Sequence, residues 1–199
     1  GDTVTLLRDV TLSEILTINK AITLDGNGYT LTSSAARAIN VTGADGVTIK
    51  DLTIVATGER AINVIGGATN VTIDNVTATA ANYAVNVAAT AANAVVTITD
   101  SNLTGLCVVN VAAENADVTV EGTTLTCNDT NEAENYAALT LNVDAKDATI
   151  TATGCTFDIK GDSVKATVGA EGGSITIDGT TDGVEQSVAV IKYANGTAY

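Results

Sequence analysis

Residues 38–49 read AINVTGADGVTI, and residues 61–73 read AINVIGGATNVTI. The opening letters return as AVNV at 84–87 and VVNV at 108–111, which sets Asn40, Asn63, Asn86 and Asn110 apart by 23, 23 and 24 residues. The closing triplet returns as VTI at 96–98, VTV at 118–120, ATI at 148–150 and ITI at 175–177. Two earlier copies precede it, VTL at 4–6 and ITL at 22–24. A weaker third motif follows a few residues later, as in LTI 52–54, VTA 76–78, LTC 125–127 and FDI 157–159. Self-similarity at this period decides the fold. It predicts about eight turns of about 24 residues.

Each repeat holds three short stretches that alternate apolar and polar residues, so each is a strand with one face in and one face out. The links between them are rich in Gly, Asn, Asp and Ala, as in Asp25-Gly26-Asn27-Gly28 and Gly66-Gly67, which is turn chemistry. The Ala-rich stretch 78–94 is no helix, because Val85, Val87, Val95 and Ile98 fall into the strand columns. One repeat cannot enclose a core alone, but stacked repeats can, each strand lying parallel on its equivalent at ~4.8 Å. The predicted interior is three columns: Ile39, Ile62, Val85, Val109, Leu139; Val41, Val64, Val87, Val111, Leu141, Val168; and Ile49, Ile73, Ile98, Val120, Ile150, Ile177. The expected fold class is all-β, a single-stranded parallel β-helix forming one domain over 1–199, with Ser187–Tyr199 closing the last turn. An antiparallel sandwich or barrel also has frequent short strands, but it needs no 24-residue self-similarity.

The 199 residues carry 9 Lys+Arg against 23 Asp+Glu, a formal charge of −14, with no His, Pro, Met or Trp and 34 Thr. Without His there is no histidine catalysis and no His-ligated metal. A basic nucleic-acid footprint is missing, and no apolar run reaches the ~18 residues of a membrane span. The Val, Ile and Thr content suits a pleated surface and argues against disorder. The missing Met and the leading Gly suggest an excised piece of a longer protein.

The stretch ITLDGNGYTL at 22–31, followed by turns of the form AINV…VTI…LTI, resembles the right-handed parallel β-helix superfamily of pectate lyases and related proteins. The adhesin-like bacterial surface-protein branch is the nearest in character. The resemblance covers nearly the whole chain and implies the fold and its hand. For function it implies a non-catalytic extracellular or cell-surface module that meets surface glycans or host and cell-surface proteins. The alternative is a polysaccharide lyase or glycoside hydrolase. Lyases of that superfamily use Asp-bound Ca²⁺ and an Arg or Lys base on acidic sugars. No matching Asp cluster with a nearby Arg stands in this sequence, and residues 61–145 hold nine acids and no Lys or Arg. A polyanion would meet repulsion there, and the family's catalytic residues transfer to no position.

Paired carboxylates for glycoside hydrolysis would have to come from Asp51, Asp74, Asp100, Glu121 and Asp178, which close the second motif; a solvated acidic edge is the blander explanation. Arg37 and Arg60 precede consecutive AIN motifs, and Tyr83 takes that place one turn later. They form either a surface packing row or a small binding patch, in which Arg60 pairs with Glu59, holds an anion or lies on the Tyr83 ring. Parity turns Asn40, Asn63, Asn86 and Asn110 outward, as an amide ladder along the rod or as donors and acceptors for neutral sugars. The column Thr48, Thr72, Thr97, Thr119, Thr149 and Thr176 is outward too, but its neighbours Lys50, Asp74 and Glu121 break a flat ice-binding array. No cofactor is implied. Ca²⁺ is the one ion the acids allow, through Asp129, Glu132 and Glu134 in the longest insertion, which otherwise reads as an acidic loop. Cys107, Cys127 and Cys155 lack metal spacing and read as buried thiols, with a Cys127–Cys155 bridge as the alternative.

Overall fold

The computed structural model describes residues 1–128, 136–161 and 163–177 in full, and beyond them only the backbone of 178 and of the strands Thr180–Thr181, Val184–Glu185, Ala189–Ala194 and Thr197–Ala198. The chain is an all-β parallel solenoid of about 7 turns with about 24 residues in each. The first face stacks Asp2–Thr5, Ile22–Asp25, the leading halves of Asp45–Ala56 and Thr69–Ala80, then Val95–Thr99, Asp117–Glu121, Thr149–Thr153 and Ser174–Asp178. These strands bound the turns at both ends, so the motifs outnumber the complete turns by one. The second face stacks Val10–Leu12, Thr30–Ser33, the trailing halves of the two long strands, Asn102–Gly105, Thr124–Cys127 and Thr156–Ile159. The third is a separate sheet from Leu16–Ile18 through Arg37–Thr42, Arg60–Ile65, Tyr83–Val87, Cys107–Val111 and Ala137–Leu141 to Val164–Val168.

The two interior columns of the third face stand as the repeat predicts: Ile39 pairs with Ile62, then Val85, Val109 and Leu139, and Val41 leads through Val64, Val87 and Val111 to Leu141 and Val168. The first face differs at two places. Val120 sits beside Ala152, not Ile150, and Val4 beside Leu24, not Ile22. A frame shifted by two residues preserves which side chains point inward, so alternation alone cannot separate the two frames. The corner after the strand separates them. With Glu121 beside Thr153, the left-handed Gly122 (φ 56°) falls level with the left-handed Gly154 (φ 61°). In the true register one outward column reads Thr3, Thr23, Thr48, Thr72, Thr97, Thr119, Thr151 and Thr176.

The same corner recurs on each turn from Asp51 to Gly154. Asp51, Asn75 and Asp100 have φ of 50°, 50° and 48°, in line with Gly122 and Gly154. This conformation costs most side chains about 1–2 kcal/mol, and Gly, Asn and Asp are the residues that adopt it routinely. Inside the corner Ser101, Thr123 and Cys155 follow one another, all buried; Ser101 Oγ donates to the Thr99 carbonyl at 2.7 Å and Thr123 Oγ1 to that of Glu121 at 2.9 Å. At the far end Ala189–Ala194 pairs antiparallel with Ser174–Asp178, and Thr197–Ala198 folds back on it. This hairpin covers the edge of the last parallel strand, as an exposed edge requires.

Candidate functional site

The third face gathers the residues singled out for binding. Arg37 lies beside Arg60, and Arg60 beside Tyr83, one strand spacing apart. The Arg60 guanidinium carbon stands 5.2 Å from the centre of the Tyr83 ring, within cation–π range. Its Nη1 reaches Asn63 Oδ1 at 3.5 Å. Glu59 is not within salt-bridge distance of it; among the described residues the ion pairs are those of Lys50 and Lys160.

Three residues on from the arginines runs the amide ladder. Asn63 Nδ2 donates to Asn40 Oδ1 at 2.9 Å, Asn86 to Asn63 at 2.7 Å and Asn110 to Asn86 at 2.8 Å. Asn63, Asn86 and Asn110 are only 1%, 3% and 5% exposed. That corrects the reading of these three as sugar-facing amides. Parity alone could not reveal this burial; each of the three donates its Nδ2 to the amide one turn earlier, and Arg60 reaches Asn63. Asn40 is half-buried and ends the run of amides, with Thr17 beside it on the preceding strand. Thr140 and Thr167 continue the column beyond Asn110.

The five carboxylates do not share one row. Asp51 and Asp100 occupy left-handed corners, whereas Asp74 and Glu121 end strands one position earlier, in the column Asp25, Lys50, Asp74, Thr99, Glu121, Thr153, Asp178. Asp74 Oδ1 accepts from Thr99 Oγ1 at 2.7 Å. Lys50 Nζ joins Asp25 at 3.0 Å and Asp51 at 2.7 Å, and Asn75 Nδ2 donates to Asp51 at 2.7 Å. The Lys50 hydrogen bond, then that of Asn75, holds the Asp51 carboxyl below its ordinary range, while Asp51 and then Asp25 raise Lys50. A general acid needs the opposite direction, so Asp51 is set up as a charged corner post. These groups line an open polar groove of about 580 Å³ that runs past Asn27, Gly28, Thr53 and Thr77. No motif announces this groove, because its members come from three turns and two faces.

A second feature appears only with the register in hand. On the second face the outward side chains pair as Thr30 and Thr32, Thr53 and Val55, Thr77 and Thr79, Asn102 and Thr104, Thr124 and Thr126. Between them Leu31, Ile54, Ala78, Leu103 and Leu125 point into the core, each at most 1% exposed. Eight of these ten outward positions are Thr and none is charged, on a chain of net charge −14. Thr156 and Asp158 end the array. The spacing is ~4.8 Å across strands and ~6.7 Å along them.

Cys107, Cys127 and Cys155 are buried and form no disulfide, which settles the Cys127–Cys155 alternative. Burial chiefly pushes the Cys155 thiol above its ordinary range. Among the described residues no three His, Cys, Asp or Glu side chains gather as metal ligands; Asp129, Glu132 and Glu134 lie outside the described residues. No helix among the described residues is long and apolar enough to cross a membrane. No protein family matches the chain, and neither a curated protein nor a solved structure does.

Proposed function

We propose that this chain is a non-catalytic β-helical module of an extracellular or cell-surface protein, adhesin-like in the manner of the bacterial branch of the pectate-lyase-like superfamily, holding a glycan or protein partner on its flanks. The observation that carries this reading is the uncharged second face. Five successive strands present a level field of hydroxyls and methyls, from Thr30 to Thr126. The chain as a whole carries a net charge of −14, and net charge of one sign discourages loose association. A neutral, regular patch on such a rod supports contact with an extended partner along several turns. The alternative, a polysaccharide lyase or hydrolase, finds less support. Its carboxylates are divided between two columns, and Asp51 is held charged.

Glycan-array binding by the whole chain tests the reading. Binding of uncharged glycans that disappears in Thr79→Lys, with the melting curve unchanged, is expected. The same preparation tested for thermal hysteresis separates a molecular partner from an ice lattice, which the regular hydroxyl spacing would also suit. Polysaccharide turnover that is lost in Asp74→Ala or Asp100→Ala would replace the module with an enzyme.

A further inference from the structure

We infer that Arg37, Arg60, Tyr83 and Asn40 form a binding site for a sugar carrying a single anionic group, a carboxylate or a sulfate. This deepens the proposed surface-module reading and rests on it for the glycan context. The two guanidiniums lie on adjacent strands, one above the other. Like charges at one strand spacing repel, and among the described residues no carboxylate lies within salt-bridge distance of either. Among the described residues the basic side chains that contact an Asp are Lys50 and Lys160.

The local groups are unbalanced towards donors. Arg60 Nε is buried and has no acceptor. Arg37 donates to no group among the described residues, and neither does Asn40 Nδ2, whose own Oδ1 is already taken by Asn63. Arg37 and Asn40 hold the same relative positions on their strand as Arg60 and Asn63, whose side chains approach to 3.5 Å. Unused N–H groups from two arginines and an amide call for a ligand that only accepts. A carboxylate or sulfate does so, and guanidinium forks bind such oxygens two at a time. Relief of the Arg37–Arg60 repulsion adds to the binding. Tyr83, next in the row, offers the flat ring on which the uncharged face of a sugar lies, and it is one of only six aromatic residues in the chain. The ligand carries one charge rather than many, because residues 61–145, which begin just past Arg60, hold nine acids and no cation, and a polyanion continuing along the rod is repelled.

Isothermal titration of the whole chain at low salt with methyl glucuronide, glucose 6-sulfate, methyl glucoside, acetate and inorganic sulfate tests the site. The two charged sugars are expected to bind at least tenfold tighter than methyl glucoside and tighter than either free anion. Arg37→Ala, which removes no observed contact, is expected to weaken them at least tenfold with an unchanged melting curve. Tyr83→Ala is expected to lower them to the level of acetate. Equal binding of methyl glucoside, or charged-sugar binding indifferent to Arg37→Ala, overturns the site. Free anions binding as tightly as the sugars overturn the sugar assignment. If glycan capture persists in Arg37→Ala but disappears in Thr79→Lys, the module reading survives and this site does not. If the whole chain captures no glycan or protein at all, the module reading itself fails.

Discussion

Replacing Asn86 by Ala should be among the most damaging single polar substitutions in this molecule. Asn86 both donates to Asn63 Oδ1 and accepts from Asn110 Nδ2, at 2.7 and 2.8 Å. Its removal leaves Asn110 Nδ2 with no acceptor and Asn63 Oδ1 with only the long contact from Arg60, at positions 5% and 1% exposed. Each orphaned buried group costs about 1–3 kcal/mol, so the expected loss is about 2–6 kcal/mol. Asn102→Ala is the control, an exposed amide on the second face, and should stay within about 0.5 kcal/mol of the parent. With a urea slope of about 2–3 kcal/mol/M, the midpoint for Asn86→Ala drops by roughly 1 M or more. A solenoid's turns contact only their neighbours, so the damage is also local. Amide exchange should quicken in Arg60–Ile65 and Cys107–Val111 and remain unchanged in Ile22–Asp25. If Asn86→Ala proves as mild as Asn102→Ala in both measurements, the ladder contributes nothing and the reasoning is wrong.

Asp100→Gly should be close to neutral and Asp100→Val should cost about 1–2 kcal/mol, because φ at this corner is 48°; equal melting temperatures for the two variants would contradict the corner's role. Asp51 should titrate below its ordinary 3.8, its stabilising contribution present above that value and lost as the pH falls through the lower folded one. Lys50→Met should move the Asp51 midpoint upward in a carboxyl NMR titration, and an Asp51 already at 3.8 in the parent would refute the ion pair. Lys50, raised by its two carboxylates, keeps its contribution below 10.5 and loses it only as the pH climbs through the higher folded value. A thiol reagent should find the 3 cysteines slow in the native protein and all reactive in denaturant. Fewer than three after unfolding would indicate a bridge.

The architecture was legible because a solenoid writes itself into the sequence as columns. The AINV motifs fixed the third face to the residue, since the Asn in each gives an unambiguous frame. The VTI motifs did so less well. Residues 149–153 read TITAT, and alternation accepts either frame; only the left-handed corner at Gly154 selects one. The row of Arg37, Arg60 and Tyr83 was visible for the same reason as the Asn column. What escaped was whatever depends on cover or on more than one face. Burial of Asn63, Asn86 and Asn110 follows from the turns stacked beside them, not from their own parity. The groove around Lys50 draws on Asp25, Asp51 and Asn75 from three turns. The neutral second face was hidden because its inward residues vary from Leu31 to Ala78, which weakens the motif although the outward Thr positions persist.

Each turn lies in register on the one before. Spin labels placed pairwise along the first-face Thr column, in a background with the cysteines replaced by Ala, measure it directly. Thr23 paired in turn with Thr97, Thr119, Thr151 and Thr176 is three, four, five and six strands away. The distances should rise evenly by ~4.8 Å per strand, from about 14 to about 29 Å, although the sequence intervals between partners are uneven. Distances that fall, or that jump across the interval holding the long insertion, would mean that the turns are not stacked in this register.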